Sequence, residues 1–257
     1  MVRPAQPAEP VGRSRRPGRN TCRRRGVEAR MATLGLIGSG QIGSTLARLA
    51  VERGLDVVLS NSRGPQTLSG LVEELGPQAR AATAAEAAAA GDWVVVTIPV
   101  KAYPLVPAPP LVGKTVIDTG NYYPARDGKI PELESGETTS SELLQRLLPG
   151  AHVVKAFNNI SYQHLAALPQ PMGAADRSAL AITGDDAAAK ERAGELISRL
   201  GYDPLDAGPL ADGRWYQPGT PGYGRLYARD RAEDFWARPA EPASRSDVEA
   251  ALAAARA

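Results

Sequence analysis

A chain of 257 residues, 43% of them hydrophobic, can bury one substantial core with at most a small appendage, which excludes two large domains. No apolar run approaches the ~20 residues that span a bilayer and no secretory signal with an apolar centre is visible, so a soluble cytoplasmic protein without membrane contact is expected. The net charge of +2 conceals nine arginines within residues 1–30 against Glu9 and Glu28, a charge of +7 that leaves −5 on the rest of the chain.

That basic, Pro/Gly-rich tail has almost no apolar periodicity and is expected to be disordered, because it cannot offset its own ordering entropy. A nucleic-acid arm and an organelle transit peptide are the functional readings of such a segment. The favoured one is an upstream mis-start or a dispensable extension, since Met31 opens the next segment directly before the first strand. No nucleic-acid partner is therefore expected, and residues 1–30 are set aside from the fold. The single cysteine, Cys22, lies in this tail, so the body has no disulfide, thiolate metal site or cysteine nucleophile. His152 and His164 are the only histidines, their spacing fits no metal motif, and no metal is expected.

The body opens with the apolar run Thr33–Ile37, followed by Gly38-Ser39-Gly40-Gln41-Ile42-Gly43 and then the helical pattern Ile42, Leu46, Leu49, Ala50. After a buried strand, the first glycine permits a tight turn, the second admits a phosphate to the backbone, and the third lets the helix pack closely. The amides and dipole of that helix N-terminus supply an anion site, so Gly38, Ser39, Gly40, Gln41, Ile42 and Gly43 are assigned to a dinucleotide pyrophosphate. The helix runs to about Arg53, Gly54 ends it, and Asp56–Leu59 forms a second strand that delivers Ser60-Asn61-Ser62-Arg63 to the adenosine ribose. An NAD enzyme normally places an acid here; Asn61, Ser62 and Arg63 instead suit a 2′-phosphate, which selects NADP(H).

Further on, Thr67–Leu75 reads as a helix, Arg80–Ala82 as a short strand, and Thr83 with Glu86 as a capping box opening a helix to Ala90. Trp93–Ile98, ended by Pro99, is the continuous apolar run of a strand buried on both faces, and Thr115–Asp118 repeats it. A helix over Ser141–Leu148, a strand over His152–Phe157, a helix over Tyr162–Leu168, a strand over Leu180–Thr183, a helix over Asp186–Leu200 and a strand over Tyr202–Ala207 continue the alternation. The prediction is an α/β fold with a doubly wound parallel sheet, over residues 31–208, and a small irregular C-terminal extension over 209–257. In that extension Arg214–Tyr223 should be a fixed loop, of the kind that often lines a site, although Trp215 and Tyr216 also fit simple packing over a sheet edge. A last helix over Ser246–Ala255 has little apolar surface beyond Val248 and Leu252, so it should be frayed or used in pairing two copies into a homodimer.

Several chemistries are absent. Gly113-Lys114-Thr115 resembles the end of a phosphate loop, but Ala108 replaces the first glycine and a strand follows. No G-x-S-x-G elbow and no Tyr-x-x-x-Lys pair occurs, and Asp118, Asp185 and Asp186 read as a strand-end carboxylate and helix caps. A nicotinamide with few proton-transfer groups near it suits direct hydride transfer, the protein supplying position and dryness. In such a sheet the reaction centre lies beyond the carboxyl ends of the strands, which puts Ile98-Pro99-Val100, Thr119-Gly120-Asn121-Tyr122-Tyr123 and Asn158-Asn159-Ile160 around the nicotinamide, with Ile98, Pro99, Asn121, Asn158 and Ile160 as the candidate site residues.

Four segments, Gly35–Gly43, Ser60–Pro65, Asp118–Asn121 and Val153–Asn158, together resemble the NADP oxidoreductase family that includes the NADPH-dependent reductase of coenzyme F-420. The likeness spans about residues 32–208. It implies pyrophosphate binding by Ser39 to Ile42, 2′-phosphate binding by Ser62 and Arg63, and hydride exchange between NADPH and a deazaflavin stacked on the nicotinamide. Asn158 stands where some of these reductases carry His, and the A-F-N form occurs in relatives with other acceptors, including flavin-using metalloreductase domains. Cofactor binding carries over from this resemblance and the acceptor's identity does not; a deazaflavin- or flavin-like small molecule is the expected acceptor. The rivals are an imine or carbonyl reductase, which usually adds an all-helical domain, and a noncatalytic NADP-binding sensor.

Overall fold

Runs of β-branched residues and leucine become the centre of a sheet. The computed structural model describes Met1, Val2 and residues 31–257, so the expectations for the basic tail and for Cys22 lie outside the described residues. Strands β1 (Thr33–Ile37), β2 (Asp56–Ser60), β3 (Ala79–Ala81), β4 (Trp93–Val96), β5 (Thr115–Asp118), β6 (His152–Lys155), β7 (Ala179–Gly184) and β8 (Asp203–Asp206) form a sheet in the order β3-β2-β1-β4-β5-β6-β7-β8. β1 and β4 are buried along their whole length, because helices cover both faces. The order reverses between β1 and β4, and this switch point opens the crevice in which such sheets bind ligands.

The helices are α1 (Gln41–Glu52), α2 (Ser69–Leu75), α3 (Ala84–Ala90), α4 (Pro124–Asp127), α5 (Pro131–Glu134), α6 (Ser140–Leu147), α7 (Tyr162–Ala167), α8 (Ala187–Leu200) and α9 (Arg245–Arg256). Capping boxes close the N-termini of α3 (Thr83 with Glu86), α6 (Thr139 with Glu142) and α9 (Ser244 with Asp247). Asp186 caps α8, as its sequence position suggested, while Asp185 accepts from the backbone of Leu210. Lys114 turns its ammonium onto the carbonyls of Ala88, Ala89 and Gly91 at the end of α3, so the false phosphate loop has a structural role. Among the described residues, no helix is long and apolar enough to cross a membrane.

The sheet is parallel from β3 to β6, but β7 runs antiparallel to β6, Val154 facing Gly184 and Lys155 facing Thr183. After β6 the chain passes through the short α7 and re-enters the sheet from the carboxyl edge. β6 also stops two residues before the expected Phe157, whose φ of 59° is a left-handed conformation incompatible with a strand. The segment from Ala156 to Ser161 is thereby left along the crevice rather than in the sheet.

Residues Met31 to Ala257 pack as one compact unit, and the segment beyond Gly208 is built into it. Tyr216 and Tyr227 are completely buried, and α9 lays Val248, Ala251 and Leu252 against the core. The last helix is therefore not frayed: its small apolar stripe is enough because β7 and the turn around Leu210–Tyr216 meet it.

Candidate functional site

The loop after β1 shows why glycine is required at two positions. Gly38 has a φ of 109°, and a Cβ there would lie 2.5 Å from the Thr97 carbonyl oxygen; a Cβ on Gly43 would strike the Gly38 carbonyl. Gly43 therefore brings α1 against the loop and does not line the crevice. At Gly40 the backbone is extended, and a Cβ would meet nothing within 4 Å. The protein itself gives no steric reason for glycine there, and a phosphate lying against the backbone would supply one.

Side chains cap α3, α6, α7, α8 and α9, but none caps α1, and its first turn carries no acid. The leading amides, including those of Gln41 and Ile42, are left to an anion at the positive end of the helix dipole. This cradle fits a pyrophosphate.

Two cavities meet at this point. One of about 330 Å³ runs from Gly38, Ser39 and Gly40 to Asn61, Ser62 and Arg63. The Asn61 carboxamide shapes the turn, accepting from the Arg63 amide at 3.0 Å and donating to the Thr67 hydroxyl at 2.8 Å. Ser62 and Arg63 are exposed, and the Arg63 guanidinium makes no hydrogen bond or ion pair with the described residues. A free guanidinium beside an anion cradle fits a 2′-phosphate.

The other cavity, of about 250 Å³, shares Gly40, Thr97, Ile98 and Pro99 with the first, and its walls include Gln41, Ile42, Asn121, Asn158 and Ile160. Asn158 is 3% exposed and donates to the Tyr216 carbonyl at 3.0 Å and to the Asn121 Oδ1 at 3.2 Å. Its Oδ1 is buried without a partner, and because Nδ2 faces two acceptors this orientation of the carboxamide is fixed. Asn121 returns a 2.7 Å bond to the Asn158 carbonyl. Phe157 lines the same wall in its left-handed conformation, held by the bonds on either side.

Behind this wall lies a buried ionic cluster that the sequence had suggested only as a strand-end carboxylate. Asp118, 0% exposed, accepts from Tyr103, Ser141 and the Gly120 amide, while Lys155 donates to Gly120, Ser140 and Ser141. The Ser141 hydroxyl thus bridges ammonium and carboxylate. Burial pushes the Lys155 pKa down and the nearby Asp118 charge opposes it. The cluster fixes the loop from Gly120 to Asn121.

Sequence reasoning had put Tyr123 near the nicotinamide and Tyr223 only within a candidate site loop, and it missed Arg126, Tyr162 and Trp236, which also line the second cavity. The signal was the density of aromatics beyond residue 214, but nothing in their spacing told which would face the crevice; Trp215 lies outside this cavity and Tyr216 is core. His152 pairs with Asp186 at 3.5 Å, and His164 is buried against the Arg238 carbonyl, so neither reaches the site. Among the described residues no group of side chains could hold a metal ion.

Comparison with known proteins gives this geometry a context. Residues 33–122 match the family described as NADP oxidoreductase, coenzyme F420-dependent. A crystal structure of the hypothetical protein SMa0349 from Sinorhizobium meliloti is 33% identical with a TM-score of 0.65, covering 74% of this chain and 91% of that one. A proposed F420-dependent NADP reductase from Arthrobacter sp. FB24 is 27% identical with a TM-score of 0.60, covering 72% and 87%. The metalloreductase STEAP3 of Rattus norvegicus is 33% identical over 183 residues, 70% of this chain, and the chain spans only 35% of that protein's length.

Proposed function

Because this chain belongs to the coenzyme F420-dependent NADP oxidoreductase family, we propose that it passes hydride directly between NADP(H) and a deazaflavin- or flavin-like acceptor. The observation that carries this reading is the continuity of the two cavities through Gly40, Thr97, Ile98 and Pro99, one end furnished for phosphate and the other walled by amides and aromatic rings. Bound NADPH supplies the hydride from its nicotinamide. The uncapped amides of α1 hold the pyrophosphate, Ser62 and Arg63 the 2′-phosphate, and Asn121, Asn158 and Ile160 border the nicotinamide. Among the described residues no carboxylate or imidazole lines the second cavity, so these side chains orient and exclude water more than they exchange protons.

A second reading rests on the tyrosine hydroxyls there. Tyr123 and Tyr223 could donate the proton that accompanies reduction of an imine or small carbonyl compound. The test is to add coenzyme F420, FMN, FAD and several imines separately to protein with NADPH and to follow nicotinamide absorbance. Oxidation with a flavin or deazaflavin supports the proposal, oxidation with imines alone transfers it to the second reading, and tight NADPH binding without oxidation by any acceptor replaces both with a sensor.

A further inference from the structure

The C-terminal segment carries aromatic surface that the fold does not use. Trp236 is 50% exposed at the edge of the second cavity, although a tryptophan gains more than most residues from burial. Its orientation is nevertheless fixed. The Phe235 ring lies 4.3 Å from it at an interplanar angle of 36°, and Tyr223 stands edge-on at 6.5 Å and 66°. Phe235 is itself buried and meets Tyr223 edge to face at 5.7 Å. Tyr223 is fixed in turn by a 2.6 Å bond between its hydroxyl and that of Tyr123, on the loop after β5. An indole held by a buried ring, with half its surface left open beside a cavity, is preorganised for another flat ring and loses little freedom on binding one.

Resting on the acceptor reading above, we infer that Trp236, supported by Tyr223 and Phe235, forms the acceptor-side wall of the site and selects a flat tricyclic heteroaromatic ring. Arg126 is the one charged side chain lining this cavity among the described residues, and its ion pair with Asp127 at 2.8 Å offsets that charge, so the wall suits a neutral ring. The selection comes from the segment beyond Gly208, joined to the crevice through Asn158 to Tyr216, Asn159 to Gly222, and Gly224 to Asn159.

Equilibrium dialysis of protein saturated with NADP⁺ against riboflavin, FMN and 5-deazariboflavin tests this without turnover. Trp236→Ala should weaken the bound ring about tenfold, the size of an aromatic contact of about 1.4 kcal/mol, whereas Trp236→Phe should stay within about threefold of wild type. NADP⁺ affinity should be the same in all three proteins, which also shows that the half-exposed side chain is not needed for folding. Equal dissociation constants for wild type and Trp236→Ala, or no binding of any of the three rings by wild type, overturns the inference. If NADPH is still oxidised by a flavin in either case, the proposed function stands and only this wall is lost.

Discussion

The Asn158 carboxamide reaches across 58 residues of sequence to the Tyr216 carbonyl, at 3.0 Å, and so joins the segment after β6 to the C-terminal part of the chain. Removing it should leave that carbonyl and Asn121 Oδ1 without their donor. Asn158→Ala is expected to destabilise by about 1–3 kcal/mol in urea denaturation and to lower the rate of NADPH oxidation. Asn158→Asp should be worse, since a carboxylate would face two acceptors.

Gly40 and Gly43 should respond in opposite ways to the same substitution. Gly43→Ala is expected to lower thermal stability, because the new methyl group meets the Gly38 carbonyl. Gly40→Ala should leave the melting temperature within about 2 °C, since its methyl group meets only open space, and yet abolish tight NADP⁺ binding. Calorimetric melting and nucleotide titration of the two variants separate the roles.

Arg63→Ala should weaken NADPH about ten- to a hundredfold while leaving NADH affinity unchanged, since a charge-assisted contact contributes about 1.5–3 kcal/mol. The preference should also shrink with added salt, because the guanidinium is exposed. Fluorescence titration with both nucleotides at two ionic strengths checks this.

Asp118→Asn removes the counter-charge of the buried Lys155 ammonium. The expected cost is about 3–5 kcal/mol in urea denaturation, beyond what loss of a surface ion pair would cause. Asp118→Asn combined with Lys155→Met should recover part of it, since no buried charge is then unpaired.

Acid should loosen the loop that carries Tyr123. Burial works to raise the Asp127 pKa, but the Arg126 guanidinium and the Tyr123 amide outweigh it and hold the carboxyl below its ordinary value. With the folded-state pKa depressed, the unfolded chain takes up the proton first. The contribution is therefore complete above the ordinary carboxylate pKa of about 3.9 and disappears as pH falls from there through the folded value. The stability gap between wild type and Asp127→Asn should hold from pH 7 to about 5 and close below about 4.

The dinucleotide half was legible in the sequence because its signals are local. A tight turn, an uncapped helix N-terminus and a cation after β2 lie within residues 38–63, and each needs only its own backbone or near neighbours. The alternation of strands and helices was equally plain, since burial on both faces writes itself as unbroken apolar runs such as Trp93–Val96. The reversal at β7 left no such mark, because a strand buried on both faces has the same composition in either direction.

The sequence by itself determined the phosphate-furnished end of the crevice, through residue types whose chemistry depends on local conformation. Tertiary structure alone decided the second cavity. There the wall is assembled from segments far apart in the chain, with Asn158 tied to Tyr216 and Tyr123 to Tyr223. Which of many aromatic rings enters the core and which faces a cavity is settled by packing against distant neighbours, and no periodicity along the chain records that.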